Sequence, residues 1–107
     1  MTKKERYLKR RDFFFRVWDE REREERGKRY VECFESGRQL PRKTYRLNSC
    51  CYSHVLGKSE YPEYEFEDWN IVIIHPDYHL NHSDSEKCPK QNKLRQFLIK
   101  TKLNSKK

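Results

Sequence analysis

The longest uninterrupted apolar run in this 107-residue chain is four residues, Ile71–Ile74. A membrane-crossing helix needs ~20 apolar residues, so no membrane span is expected. Any core must be assembled from short or one-sided pieces. Charged residues make up 39% of the chain and the apolar set 34%, a balance that alone leans toward disorder. The aromatic residues argue the other way. Seven Tyr, six Phe and two Trp reach 14% of the chain, and disordered chains are poor in them. The expectation is one small domain with an aromatic core and a large charged surface.

The charge is segregated. Residues 1–30 hold 12 basic and 7 acidic side chains, residues 31–86 hold 5 and 10, and residues 87–107 hold 8 and none. Two basic ends therefore flank an acidic middle. Lys and Arg beside phosphates release condensed counterions, which makes a nucleic-acid backbone the natural partner for such ends. A solvated surface accounts for the charge runs equally simply. The acidic middle favours a metal-dependent site, which needs hard oxygen donors. Lys3, Lys4 and Arg6 are followed by more charge, unlike a secretory signal. A cytoplasmic, reducing setting is expected, in which Cys33, Cys50, Cys51 and Cys88 need form no bridges. None of these cysteines forms a CxxC pair. Cys50 and Cys51 are expected to pack as small apolar groups.

Thr2 with Glu5 three residues later predicts a capped helix. Its apolar face is drawn from Tyr7, Leu8, Phe14, Phe15 and Trp18, while the wholly charged stretch Asp19–Arg26 projects into solvent. Tyr30–Phe34 and Gln39–Leu40, separated by Ser36–Gly37, predict a hairpin. A strand is expected in Tyr52–Leu56, a loop over Gly57–Asp68, and the clearest strand over Trp69–Ile74. Pro76 opens a short helix carrying His79 and His82. Pro89 opens a last helix with Leu94, Phe97, Leu98 and Thr101 on one face.

His54 at the end of one strand, Asn70 at the start of the next and His79 in the following helix lie on three successive elements. Strand, loop, strand and helix can bring one residue from each to a common point. A neutral imidazole there takes a proton from water, since histidine titrates near ~6.5. A second imidazole holds a divalent metal, and an asparagine adds a ligand or fixes the loop. Such parts suffice for metal-assisted hydrolysis of a phosphodiester.

The segments Cys33–Gly37, Ser53–Leu56, Tyr61–Tyr64, Trp69–Ile74 and Pro76–His79 together resemble an HNH endonuclease, closest to the small HNH proteins of bacteriophages. The resemblance covers roughly residues 30–98. It implies an α+β fold with a ββα-metal core over 30–103, a basic helical arm over 1–29 ahead of it and a basic tail over 104–107. It assigns the general base to His54, the stabilising role to Asn70 and the metal to His79. Asn70, Ser53 and His82 are further candidate ligands. Ser53 stands where many family members carry Asp or His. Mg²⁺ or Mn²⁺ is the expected ion, with Ni²⁺ or Zn²⁺ as substitutes. Cys33 begins a first zinc knuckle, but Ser36, His75 and Tyr78 replace the other three cysteines, so no structural zinc is expected.

The implied activity is cutting or nicking of DNA, taken as double-stranded with weak sequence preference. Phosphate contacts are expected from Arg10, Arg11, Arg42, Lys43, Arg46, Lys58, Lys93 and Arg95. The protein would act as a monomer or homodimer, in the host cytoplasm if encoded by a phage. The alternative is an HNH-fold module without catalysis that binds DNA or assembles with phage packaging or recombination proteins.

Overall fold

The computed structural model of the chain describes residues 2–24, 29–79 and 88–103. Helix α1 runs Lys3–Glu24. It is followed by strands β1, Tyr30–Glu32, and β2, Gln39–Pro41, then by a one-turn helix α2, Arg42–Tyr45. Strand β3, Tyr52–His54, follows a 3₁₀ turn at Ser49–Cys51. Strand β4 is Ile71–Ile73 and helix α3 is Pro76–His79. Helix α4, Pro89–Leu98, continues as a π-helical turn over Ile99–Leu103. The fold is mixed helix and strand, with two small antiparallel sheets. No described helix is long and apolar enough to cross a membrane.

The capping residue acts as the sequence implies, the Glu5 N–H donating to Thr2 Oγ1 at 3.1 Å. The buried stripe of α1 is Phe13, Phe14, Val17 and Trp18, spaced to lie on one side of a helix. Phe14 stacks on Tyr52 of β3, with ring centroids 4.5 Å apart and planes 5° from parallel. Trp18 meets Tyr52 at 6.4 Å. Helix α1 is therefore part of the same core as β3 and β4.

Three expectations about packing fail. Tyr7 is 62% exposed, because its turn of α1 lies ahead of the buried stripe. The far half of α1 does not simply project into solvent. Asp19 takes two bonds from the Arg46 guanidinium, at 3.0 and 3.1 Å, and one from Arg42 at 2.9 Å. Arg42 also reaches Glu22 at 2.6 Å. Burial pushes the Asp19 carboxyl up, but the bonds and charges of Arg46 and Arg42 outweigh it and hold it below the ordinary value. Phe97 is 60% exposed. The inward positions of α4 are Gln91 and Leu98, with Leu94 packed against the core.

The expected hairpin forms with Val31 opposite Leu40. Its turn closes through the Gly37 N–H to Cys33 O at 2.8 Å, with Gly37 at φ +75°, a conformation that glycine adopts without Cβ strain. The hairpin is tied to the second sheet at the end of β4. Phe34 N–H donates to Ile73 O at 2.9 Å. Cys33 Sγ receives the N–H groups of Ser36 at 3.5 Å and His75 at 3.3 Å. Glu35, from the same turn, accepts the Lys90 and Gln91 N–H groups at 2.9 and 3.0 Å. That places a carboxylate on the exposed amides and positive dipole end of α4.

Candidate active site

Strands β3 and β4 pair with Tyr52 opposite Ile73, Ser53 opposite Val72 and His54 opposite Ile71. This register brings His54, the last residue of β3, level with the first residue of β4, and Asn70 immediately precedes that residue. Helix α3 leaves the other end of β4 and lies against the Ser49–Cys51 turn. The three elements expected to carry the site are therefore neighbours.

Asn70 has no exposed surface, and its amide is fully used. Oδ1 accepts the Leu56 N–H at 2.7 Å, and Nδ2 donates to Leu56 O and Tyr64 O, both at 3.0 Å. The residue that enters the 57–69 loop and one in its middle are thus fastened to the side chain that follows it. The role that fits is positioning. The expectation of Asn70 as a metal ligand does not fit an amide buried and bonded at both ends.

What the loop positions is a carbonyl. The Glu65 O lies 2.9 Å from His54 Nε2. A carbonyl oxygen only accepts, so Nε2 carries the proton and the lone pair of neutral His54 resides on Nδ1. Burial pulls the His54 pKa below its ordinary value; the Glu65 bond and charge oppose this, while Lys58 and Arg10 reinforce it. At neutral pH the ring is uncharged. His54 lines an open cleft of ≈ 380 Å³ together with Arg10, Phe14, Tyr52, Gly57 and Lys58. Arg10 is held there by the buried Glu65 carboxylate at 2.9 Å. A neutral imidazole of defined tautomer beside two cationic side chains can take a proton from water next to a bound anion.

Ser53 departs from expectation. It is 1% exposed, and its hydroxyl donates to Gln91 Oε1 of α4 at 2.8 Å. Successive residues of a strand face opposite ways, and here Tyr52 and His54 meet Phe14 of α1 while Ser53 meets α4. The serine hydroxyl is thus committed to the core. His79 is the last residue of α3. His82 lies outside the described residues. His75, just ahead of α3, neighbours Asp77 in its first turn, with His75 Nδ1 3.4 Å from Asp77 Oδ2 and also accepting the Asp77 N–H at 3.2 Å.

The cysteines divide. Cys33, Cys51 and Cys88 are buried, whereas Cys50 is exposed, contrary to its expected packing. Burial first, then the neighbouring Cys50 and Cys33, push the Cys51 thiol up to about 12, so it stays a neutral, small apolar group.

The expected phosphate contacts also separate. Lys43, Lys58 and Lys93 are exposed. Arg42 and Arg46 are engaged by Asp19 and Glu22, and Arg95 donates to Val55 O at 2.9 Å. These three arginines hold the fold together, which correspondingly weakens their assignment to phosphates. Glu65 and Gln91 were missed as parts of the site. Nothing in the loop sequence marks Glu65. Gln91 carries a signal, since residues 91, 94 and 98 have helical i, i+3, i+7 spacing and one of them is polar. No family model, curated protein or solved structure matches this chain.

Proposed function

We propose that the chain is a nuclease of the HNH type that hydrolyses phosphodiester bonds of DNA. The observation carrying this reading is His54, held by Glu65 O through Nε2, neutral, and set in a cleft with Arg10 and Lys58. In this reading the strand pair, the loop fastened by Asn70 and helix α3 form the ββα-metal core. His54 Nδ1 takes the proton of the attacking water. Lys58 and Arg10 attract and orient the phosphate, and Asn70 keeps the Glu65 carbonyl on the imidazole.

The described side chains do not assemble a metal-binding set, because Ser53 and Asn70 are bonded elsewhere. The family assignment leaves the ion to His79. Bound there, Mg²⁺ or Mn²⁺ would supply charge stabilisation on the phosphate and the leaving oxygen. The commitment of Ser53 and Asn70 also favours a second reading, a DNA-binding module that keeps the fold without the hydrolysis. Supercoiled plasmid incubated with Mg²⁺, Mn²⁺ or Ni²⁺ separates the two. The nuclease reading expects nicked or linear product from wild type and its loss with His54→Ala. An intact plasmid with every metal, together with salt-dependent binding, establishes the module instead. Equal cutting by His54→Ala removes His54 as the base.

A further inference from the structure

The His54 cleft is one end of a longer surface feature. It shares Arg10, Phe14, Ser49 and Tyr52 with a second depression of ≈ 460 Å³, whose walls add Tyr7, Arg11 and Leu47. Leu47 in turn borders a third, of ≈ 500 Å³, with Arg29, Pro41 and Lys43. Among the described residues, no acidic side chain lines any of the three. Arg10, Arg11, Arg42 and Arg46 along it are paired with Glu65, Asp12, Asp19 and Glu22, and the attraction for a polyanion comes from its other basic groups, Lys58, Lys43 and Arg29.

Two residues in this basic surface are apolar and unusually bare. Tyr7 is 62% exposed and Leu47 75% exposed. Leu47 lies just beyond α2, between the second and third depressions. A duplex backbone has no use for a phenol ring and an isobutyl group set between cations. An unpaired strand does, because its bases stack on an aromatic ring and pack against an apolar side chain while its phosphates follow the positive groove.

We propose that this surface is a track for an unpaired DNA strand leading out of the His54 cleft, with one base stacked on Tyr7, another packed on Leu47, and phosphates along Lys58, Lys43 and Arg29. The proposal rests on the nuclease reading and narrows its substrate, from duplex of any kind to DNA with a single-stranded segment beside the scissile phosphate.

The test is fluorescence anisotropy of the full chain in EDTA, where cleavage is suppressed, with a labelled oligonucleotide of about 20 nucleotides, single-stranded or paired. The single strand binds more tightly. Tyr7→Ala weakens single-strand binding by about 5- to 100-fold and leaves duplex binding within about twofold. Tyr7→Trp restores single-strand binding. Leu47→Ala weakens it in the same direction. Circular dichroism of each variant matches wild type, since both side chains are exposed. Equal affinity for the two DNA forms overturns the track, as does a folded Tyr7→Ala protein that binds single strands normally. Plasmid cutting alongside either of those results leaves the nuclease reading standing without the track. Single-strand binding through Tyr7 with no cutting in any metal keeps the binding track and rejects the hydrolysis.

Discussion

Asn70 offers the sharpest test of how the site is held. Replacing it with alanine removes three hydrogen bonds at 2.7, 3.0 and 3.0 Å. It strands the Leu56 N–H and carbonyl at a position closed to water, while the Tyr64 carbonyl keeps the Glu67 N–H at 3.3 Å. Each bond contributes about 1 kcal/mol net, and a stranded buried group adds a penalty of similar size. A loss of about 3–5 kcal/mol is expected, a large share of the 5–15 kcal/mol that holds a typical domain. Urea denaturation measures it directly. Asn70→Asp sharpens the logic. It retains an acceptor for the Leu56 N–H but turns a carboxylate oxygen toward two carbonyl oxygens. The buried charge raises the aspartate pKa in the fold above its unfolded value of ~3.9. Destabilisation is therefore largest above the folded pKa and shrinks as pH falls toward the unfolded one. An Asn70→Ala loss below about 1 kcal/mol, or an Asn70→Asp deficit unchanged from neutral to acid pH, refutes the account of the 57–69 loop.

Ser53→Ala strands Gln91 Oε1, in a side chain whose Nε2 already lacks a partner, and should cost about 1–3 kcal/mol in urea titration. Adding Gln91→Leu recovers part of this, whereas a change in metal affinity at unchanged stability returns Ser53 to the metal. Because burial lowers the His54 pKa, cleavage at saturating metal should be at its plateau at neutral pH and fall only once pH drops below ~6.5. An acid limb centred above that value contradicts a neutral, buried base. The same shift makes the fold less stable as pH falls below ~6.5, where unfolded His54 gains a proton and folded His54 does not; His54→Phe should flatten that slope. Asp19→Asn should cost no more than about 1 kcal/mol, given its partial exposure, and that cost should shrink in high salt.

The capped start of α1, the hairpin, the short β4 and the prolines opening α3 and α4 were legible because each depends on local chemistry. The misplaced residues share one cause. Helical spacing puts Tyr7 on a face with Phe14 and Trp18, and Phe97 on a face with Leu94, but does not say how far along the helix the partner extends. The core meets α1 at Phe13, through Phe66, and at Phe14, through Tyr52, and Tyr7 lies ahead of both, 62% exposed. The charged stretch of α1 gives no local sign of its cationic partners, because Arg42 and Arg46 lie 23 and 27 residues beyond Asp19, at the start and just past the end of a one-turn helix whose polar sequence announces neither a strand nor an apolar face.

That His54 and Asn70 meet could be read from order alone, since they and the loop between them need only a strand pair to bring them together. Where the Ser53 hydroxyl goes could not be, although part of the reason lies in the alternation of a strand. Two adjacent residues of an extended strand point to opposite sides. Ser53 borders the His54 cleft, but its hydroxyl turns to the other side of β3, where a partner behind the sheet satisfies it. The sequence supplies that partner in Gln91, a polar residue on the inward side of α4. The amide that anchors α4 to β3 and the serine expected to bind metal are thus two ends of one hydrogen bond. Ser53 therefore serves the fold behind β3, which in the proposed reading leaves an ion to the histidines expected after β4.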